Sequence, residues 1–281
     1  MFDAHSDILY DVIHNNRDFA YHLERLSKYR GVIINYYFKG NESHDEFLFV
    51  LLKVKSFYEQ YLCKLKKPKI LLGIEGLGPL RTVEDIDILY KAHINSVSLT
   101  WNDVNLLGSG TFTHSHQGLT KLGYKVLDRL YKYGIMLDLS HANKKTFFDA
   151  LNYFKGKVFV SHSNAKSICD NERNLEDEQL IAVAKKGGLI GVNGYKEFVG
   201  KDCIDGIIEH INYIKALIGI DHICLGIDDD TYLTNNSGMI SPFKSGVNID
   251  LLKKSLEKTF SKEEVKKILY GNFENWINDD R

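Results

Sequence analysis

Short runs of β-branched and aliphatic residues, bounded by Gly, Asn, Asp or Ser, recur along the chain and alternate with longer stretches whose apolar residues return every three or four positions. The short runs predict buried parallel strands, because a strand covered on both faces is apolar almost throughout. Eight are found, at residues 2–7, 32–38, 70–75, 96–101, 135–140, 158–162, 189–193 and 223–228. The first has little apolar content and is admitted partly for the chemistry it carries. Helical patterns separate most of them. Between the second and third runs, Phe47, Leu48, Leu51, Val54, Phe57, Tyr58 and Tyr61 mark one apolar face. Between the fourth and fifth, Thr120 predicts an N-cap, Leu122, Val126, Leu127, Leu130 and Tyr131 the face, and Gly134 the stop. Beyond the eighth, helices at 249–256 and 262–269 end the series.

This alternation demands a parallel sheet with helices outside, and eight repeats predict an α/β fold of the (β/α)₈ or TIM-barrel type. The length of 281 residues would also suit two small domains, but no Pro/Ser-rich linker, low-complexity tract or internal repeat breaks the pattern. One barrel over residues 1–281 is therefore expected. Charge narrows the partners: a formal net charge of −1 supplies no basic stripe for a phosphate backbone, so nucleic acid is not expected. No apolar stretch is long enough to span a bilayer, and Met1 leads into Phe2-Asp3-Ala4-His5 without a secretion signal, which predicts a cytoplasmic protein with no membrane partner. Cys63, Cys169, Cys203 and Cys224 form no Cys-x-x-Cys pair and are expected to be buried free thiols.

Candidate chemistry collects at the C-terminal ends of the runs, the face on which barrel enzymes build their sites. The first run ends in His5-Ser6-Asp7, the third in Glu75-Gly76, the fifth leads into Ser140-His141, the sixth ends in Ser161-His162, and the eighth in Asp228. Side chains two apart on a strand share a face, so His5 and Asp7 can hold one ion together. Three imidazoles and three carboxylates on one barrel mouth would repel and desolvate one another without a cation. Nitrogen and carboxylate donors without thiolate favour zinc, with manganese, cobalt or iron as alternatives. A pair of ions about 3.5 Å apart needs a bridging carboxylate, and Glu75 is the candidate. His14, His22, His44, His93 and His210 fall in helical or loop stretches and are expected to be solvated, with His222 at the opposite end of the barrel. Asp138 is either a partner of the ligands or a buried barrel residue, and Asp230 either assists Asp228 or caps the following turn. Gly108-Ser109-Gly110 is expected to be a flexible turn.

These residues, in this order and spacing, resemble the membrane dipeptidase or renal dipeptidase group, the M19 metallopeptidases within the amidohydrolase-like barrels. The resemblance runs nearly end to end, through Asp3-Ala4-His5-Ser6-Asp7, Gly73-Ile74-Glu75-Gly76, Leu137-Asp138-Leu139-Ser140-His141, Val158 to His162, Cys169 to Asn174 and Gly226-Ile227-Asp228-Asp229-Asp230. It implies a metal-dependent dipeptidase with two zinc ions, one on His5 and Asp7, the other on His141 and His162, with Glu75 bridging. Asp228 would handle the proton of the attacking water and Arg173 would bind the free carboxylate of the substrate. Tyr195 lies in a segment resembling a pocket wall. A D-residue at the C-terminal side would be tolerated, and a homodimer is implied. One departure stands out: where animal members have a histidine, this chain reads Leu99-Thr100-Trp101-Asn102, as bacterial members do. An indole is only a donor and cannot replace an imidazole. That leaves Asn102, Asn105, His114 or His116 as donors to the tetrahedral intermediate, with Asn102 taken as a substrate-binding candidate. The animal members' secretion and lipid anchoring are not implied, since the chain carries neither signal.

Two rivals remain from the sequence. A different amidohydrolase on the same barrel would open with His-x-His and often bridge its metals with a carboxylated lysine, whereas this chain has His-x-Asp and Glu75. A catalytically inert ligand-binding barrel would have lost a metal ligand, and all are present.

Overall fold

A computed structural model describes residues 1–113 and 115–279. Eight strands close into a barrel in chain order: β1 (Phe2–Ser6), β2 (Gly31–Tyr37), β3 (Lys69–Glu75), β4 (Ile94–Ser98), β5 (Met136–Asp138), β6 (Val158–Val160), β7 (Leu189–Val192) and β8 (Ile223–Leu225). The ladders are parallel, with Asp3 opposite Leu225, Ser96 opposite Met136 and Ile190 opposite Ile223. This is the expected (β/α)₈ barrel. Most strands stop earlier than the apolar runs suggested, because the chain leaves extended geometry just where the polar residues begin. His141 and Asp228 have φ of 66° and 63°, a left-handed conformation that costs a non-glycine residue about 1–3 kcal/mol and is found where a side chain must be aimed.

The helices follow from local chemistry. Ser43 accepts from the Glu46 amide while the Glu46 carboxylate accepts from Ser43, a reciprocal cap that starts helix His44–Phe57. Its buried face is Phe47, Val50, Leu51, Val54 and Phe57, so Val50 takes a place that the sequence assigned to Tyr61, which is exposed. Thr120 caps helix Lys121–Lys132 through the Gly123 amide at 3.0 Å, and Gly134, with φ of 66°, ends that turn as expected. The C-terminal helical region continues past 269, through Asn272–Asn278. No helix among the described residues is long and apolar enough to cross a membrane.

The chain divides into two compact units, with boundaries after Asp7, inside helix Phe19–Arg25, inside β2 between Val32 and Ile33, and inside β6 between Phe159 and Val160. One unit comprises Met1–Asp7, Leu23–Val32 and the chain from Val160 onward. In it Phe2 stacks on Phe273 at 4.3 Å, and the buried Asp3 carboxylate accepts from the amides of Ile227 and His5 at 2.9 and 3.4 Å, tying β1 to the segment after β8. Burial pushes the Asp3 pKa up to about 7 against the pull of those amides. Gly191 and Gly226 let β7 and β8 close on the end of β6: a Cβ at either would lie 1.9 or 1.6 Å from the Ser161 carbonyl oxygen. The other unit comprises Ile8–His22 and Ile33–Phe159. There Gly73 in β3 leaves room for Asn35, whose Oδ1 would stand 1.9 Å from an added Cβ. Gly108, Ser109 and Gly110 are buried, and an isolated bridge pairs Gly110 with Ala142, so this is a packed connection and not the flexible turn expected. Only one of the free cysteines, Cys224, is buried; Cys63 is exposed because it follows the solvent-facing end of a helix, and Cys169 and Cys203 are half-buried on loops.

Candidate metal centre

In the first unit, β1 presents His5 and the next turn presents Asp7. His5 Nε2 lies 3.4 Å from Asp7 Oδ1 and 3.8 Å from Asp228 Oδ1. The rings of His5 and His162 are 4.0 Å apart, and the Ser161 hydroxyl sits between their Nδ1 atoms, 3.3 Å from His5 and 2.6 Å from His162. A hydroxyl that holds Nδ1 of both rings fixes their orientation, as outer partners of metal-binding histidines do.

In the second unit, Glu75 ends β3 and His141 follows β5, with His141 Nε2 2.8 Å from Glu75 Oε1. On the other side of the ring, Nδ1 lies 2.9 Å from Asn102 Oδ1. An amide oxygen only accepts, so Nδ1 carries a proton. Nε2 is then the ring atom turned toward the Glu75 carboxylate, which it can meet as an imidazolium N–H or, when the ring is neutral, through a cation bound by both groups. Asn102 is thus placed to orient His141. Trp101 lies 6.1 Å from His141 and 6.1 Å from Tyr37, centroid to centroid, as one layer of an aromatic stack.

Three groups of buried residues each bring one ligand atom per residue within 4.8 Å of the others: His5, Asp7 and Glu75; Glu75, His141 and His162; and His5, Asp138 and His162. Each residue expected to bind metal is in at least one group. His5, Glu75 and His162 each belong to two of the groups, and of these Glu75 alone has the two carboxylate oxygens that bridging uses; Asp138 belongs to one group and also accepts from the Ser140 amide at 2.9 Å. Nitrogen and oxygen donors without thiolate, buried together, fit one or more divalent cations.

The outer residues sort differently. Arg173 is buried on the loop after β6, its guanidinium 5.6 Å from the Phe198 ring centre, so it is not a surface arginine. Tyr195 is half-buried and donates its hydroxyl to Asp230, which also accepts from Ser237. The Asp230 side chain therefore neither meets Asp228 nor caps its own turn; Asp229 does the capping, accepting from the Thr231 amide at 3.0 Å. Burial, the Asp228 charge and the bond to Asp230 hold the Tyr195 phenol far above its ordinary pKa, so it stays a donor. Asn105 is committed to the backbone, bonding Leu99 and Leu107, and His116 is exposed; His114 lies outside the described residues. Residues missed by the sequence reading include Ser161, Asn193 and Arg25. Arg25 Nη2 donates to Asp229 and Thr231 at 2.7 and 2.8 Å, and Tyr232 below it bonds Ser6 at 2.9 Å.

Two histidines expected to be solvated are fully buried. His22 bonds Asp11 at 3.0 Å, a carboxylate that also holds Arg17 and Asn15. His210 accepts from the Ala165 amide on the loop after β6 and bonds the Val199 carbonyl, both at 3.2 Å. That pairing needs the neutral ring, and burial lowers its pKa below the ordinary 6.5. The unfolded chain binds the proton more readily, so the stability contributed by His210 is present above pH 6.5 and declines as pH falls below it. The difference in melting temperature between the wild type and His210→Leu should therefore narrow between pH 7 and pH 5. A gap that does not change with pH would remove His210 from the acid response.

The sequence profile of the membrane dipeptidase family (peptidase family M19) matches residues 52–277. Among curated relatives, an uncharacterized dipeptidase of Schizosaccharomyces pombe is 30% identical over 208 residues, 70% of this chain and 49% of the relative. An uncharacterized protein in the pqqA 5' region of Klebsiella pneumoniae is 33% identical over 171 residues, 56% of this chain and 61% of the relative. The chain spans about half the length of the curated relatives it matches. Among solved structures, the dipeptidase AC, a metallo peptidase of family M19, superposes with a TM-score of 0.80 at 18% identity, covering 98% of this chain and 97% of that one. A metallo peptidase from Rhodobacter sphaeroides, liganded with a phosphinate mimic of the dipeptide L-Ala-D-Ala, gives 0.78 at 18% identity with the same coverage. At such identities the superpositions establish the shared barrel.

Proposed function

The chain belongs to the membrane dipeptidase family, peptidase family M19, and from that premise we propose that it hydrolyses the peptide bond of dipeptides with two divalent ions, zinc by preference. His5 and Asp7 would hold one ion, His141 and His162 the other, and Glu75 would bridge them. The observation that carries the reading is that these five residues, drawn from the ends of β1, β3, β5 and β6, fall into overlapping groups of ligand atoms within 4.8 Å.

Bound ions supply Lewis-acid polarisation of the scissile carbonyl and a water acidified toward neutral pH. The chain's own residues do the rest. Asp228 takes the proton of the attacking water and returns it to the departing amine. Asn102 and Ser161 hold the imidazoles in their working orientation, and Tyr195, kept protonated, donates to Asp230 and so holds that carboxylate in place. Arg173 receives the substrate's carboxylate, which sets its distance from the cleaved bond and limits the substrate to two residues. A carboxylate clamp reads charge and position more than handedness, and the Rhodobacter neighbour's L-Ala-D-Ala mimic supports acceptance of a D-residue at that side.

The test is elemental analysis of the purified protein together with a screen of L,L- and L,D-dipeptides. Two divalent ions per chain are expected, with hydrolysis abolished by a chelator and restored by zinc, manganese or cobalt. Full activity in a verified metal-free preparation would overturn the proposal. Turnover of lactones or N-acyl compounds in place of dipeptides would assign the barrel to another amidohydrolase reaction.

A further inference from the structure

Asn193 is the first residue after β7, is fully buried, and uses each of its polar groups. Its backbone N–H donates to Asn164 Oδ1 at 3.0 Å, and its carbonyl accepts from Asn164 Nδ2 at 3.4 Å. Its side-chain Oδ1 accepts from the Tyr195 amide, and its Nδ2 donates to Asp228 Oδ2 at 3.2 Å. The Tyr195 amide settles which way the side chain faces, because a backbone N–H can be met only by the oxygen end. The NH₂ end is then committed to Asp228.

Asp228 stands on a left-handed backbone beyond the end of β8, and its carboxylate has two side-chain torsions to order. Ordering them costs entropy that a fixed donor offsets in advance. A carboxamide suits the task better than a hydroxyl or an imidazole, since its NH₂ neither titrates nor accepts a proton. It holds Oδ2 and leaves Oδ1, 3.8 Å from His5 Nε2, on the side of the predicted ligands. We infer that Asn193 is a positioning residue that fixes the Asp228 carboxylate so that Oδ1 is the oxygen that exchanges the proton. The inference rests on the dipeptidase reading for the reaction, and on the hydrogen bonds for the pairing itself.

A merely structural asparagine would affect stability, and its loss would add to that of Asp228 as an independent defect. The discriminating change is Asn193→Asp, which keeps an acceptor for Tyr195 and replaces the donor with a like charge. For a dipeptide cleaved by the wild type, kcat should fall on the order of 10- to 100-fold, the cost of a misplaced catalytic group, with KM changed by less than about threefold. In the double variant Asn193→Asp/Asp228→Asn, donor and acceptor exchange places. Its melting temperature should recover to that of Asp228→Asn, and its kcat should fall no further than in that single variant. Wild-type kcat in Asn193→Asp, multiplied losses in the double variant, or melting temperatures that merely add would each overturn the inference. Should Asn193→Asp not fold, Asn193→Ser is read by the same split between kcat and KM. If the wild type cleaves no dipeptide, the functional reading fails alone, because the melting-temperature cycle still reports whether the two side chains are paired.

Discussion

Asp228→Asn should retain its metal and lose kcat by about 10²-fold or more, the usual contribution of a general acid or base. The change alters shape hardly at all, so the loss reports chemistry. Its contacts favour this residue over its neighbours. Asp229 is bound to Arg25 and Thr231, and Asp230 to Tyr195 and Ser237, whereas Asp228 directs one oxygen toward His5. Metal content measured beside turnover separates a lost proton acceptor from a lost ligand. A variant that turns over dipeptide at the wild-type rate would move proton transfer to another group, with Asp138, the remaining carboxylate in the ligand groups, next in line.

Arg173→Ala should lower kcat/KM for dipeptides by about 2–5 kcal/mol, the range for removing one partner of a desolvated charge pair, which is roughly 30- to 5,000-fold. The guanidinium is almost wholly withdrawn from water, so a carboxylate meeting it is attracted in a weakly screened setting. Arg173→Lys should recover only part of the loss, because an ammonium cannot meet both oxygens with parallel N–H donors. A C-terminally amidated dipeptide should be as poor a substrate for the unaltered protein as the free dipeptide is for Arg173→Ala. Equal cleavage of amidated and free dipeptides would remove Arg173 as the clamp and weaken the dipeptidase assignment with it.

The barrel was legible because its signal is periodic: apolar runs bounded by turn residues, repeated eight times, leave few alternatives. The predicted ligands were legible for a related reason. The fold rule says which strand ends face the mouth, and His5, Glu75, His141 and His162 are chemically conspicuous there. The supporting residues were not, because an asparagine or serine at a strand end resembles any turn residue. Nothing local marks Ser161 as the hydroxyl between two imidazoles, or Asn193 as the donor to Asp228, 35 positions later. The buried histidines failed the same way. His22 and His210 stand in polar, helical surroundings in the sequence, and their burial is set by partners 11 and 45 positions away, Asp11 and Ala165. Strand ends were overestimated because the runs were carried on into the polar residues that follow each ladder, such as Ser161-His162 after β6 ends at Val160.

Asn193 is followed by Gly194, and in such a pair the glycine nitrogen readily attacks the asparagine side chain, expelling ammonia through a cyclic imide that water reopens to aspartate or isoaspartate. In the folded chain that nitrogen is engaged, its N–H donated to the Ile227 carbonyl at 3.1 Å, while the side chain is pinned at both ends. The hydrogen bonds that aim Asp228 therefore also act as a preservative. Each excursion that opens the junction of β7 and β8 exposes the one covalent weakness able to write the Asn193→Asp change into the protein without any mutation. The working lifetime of the catalyst should thus track how seldom this corner opens, and slow loss of turnover on storage should coincide with ammonia release from a single peptide.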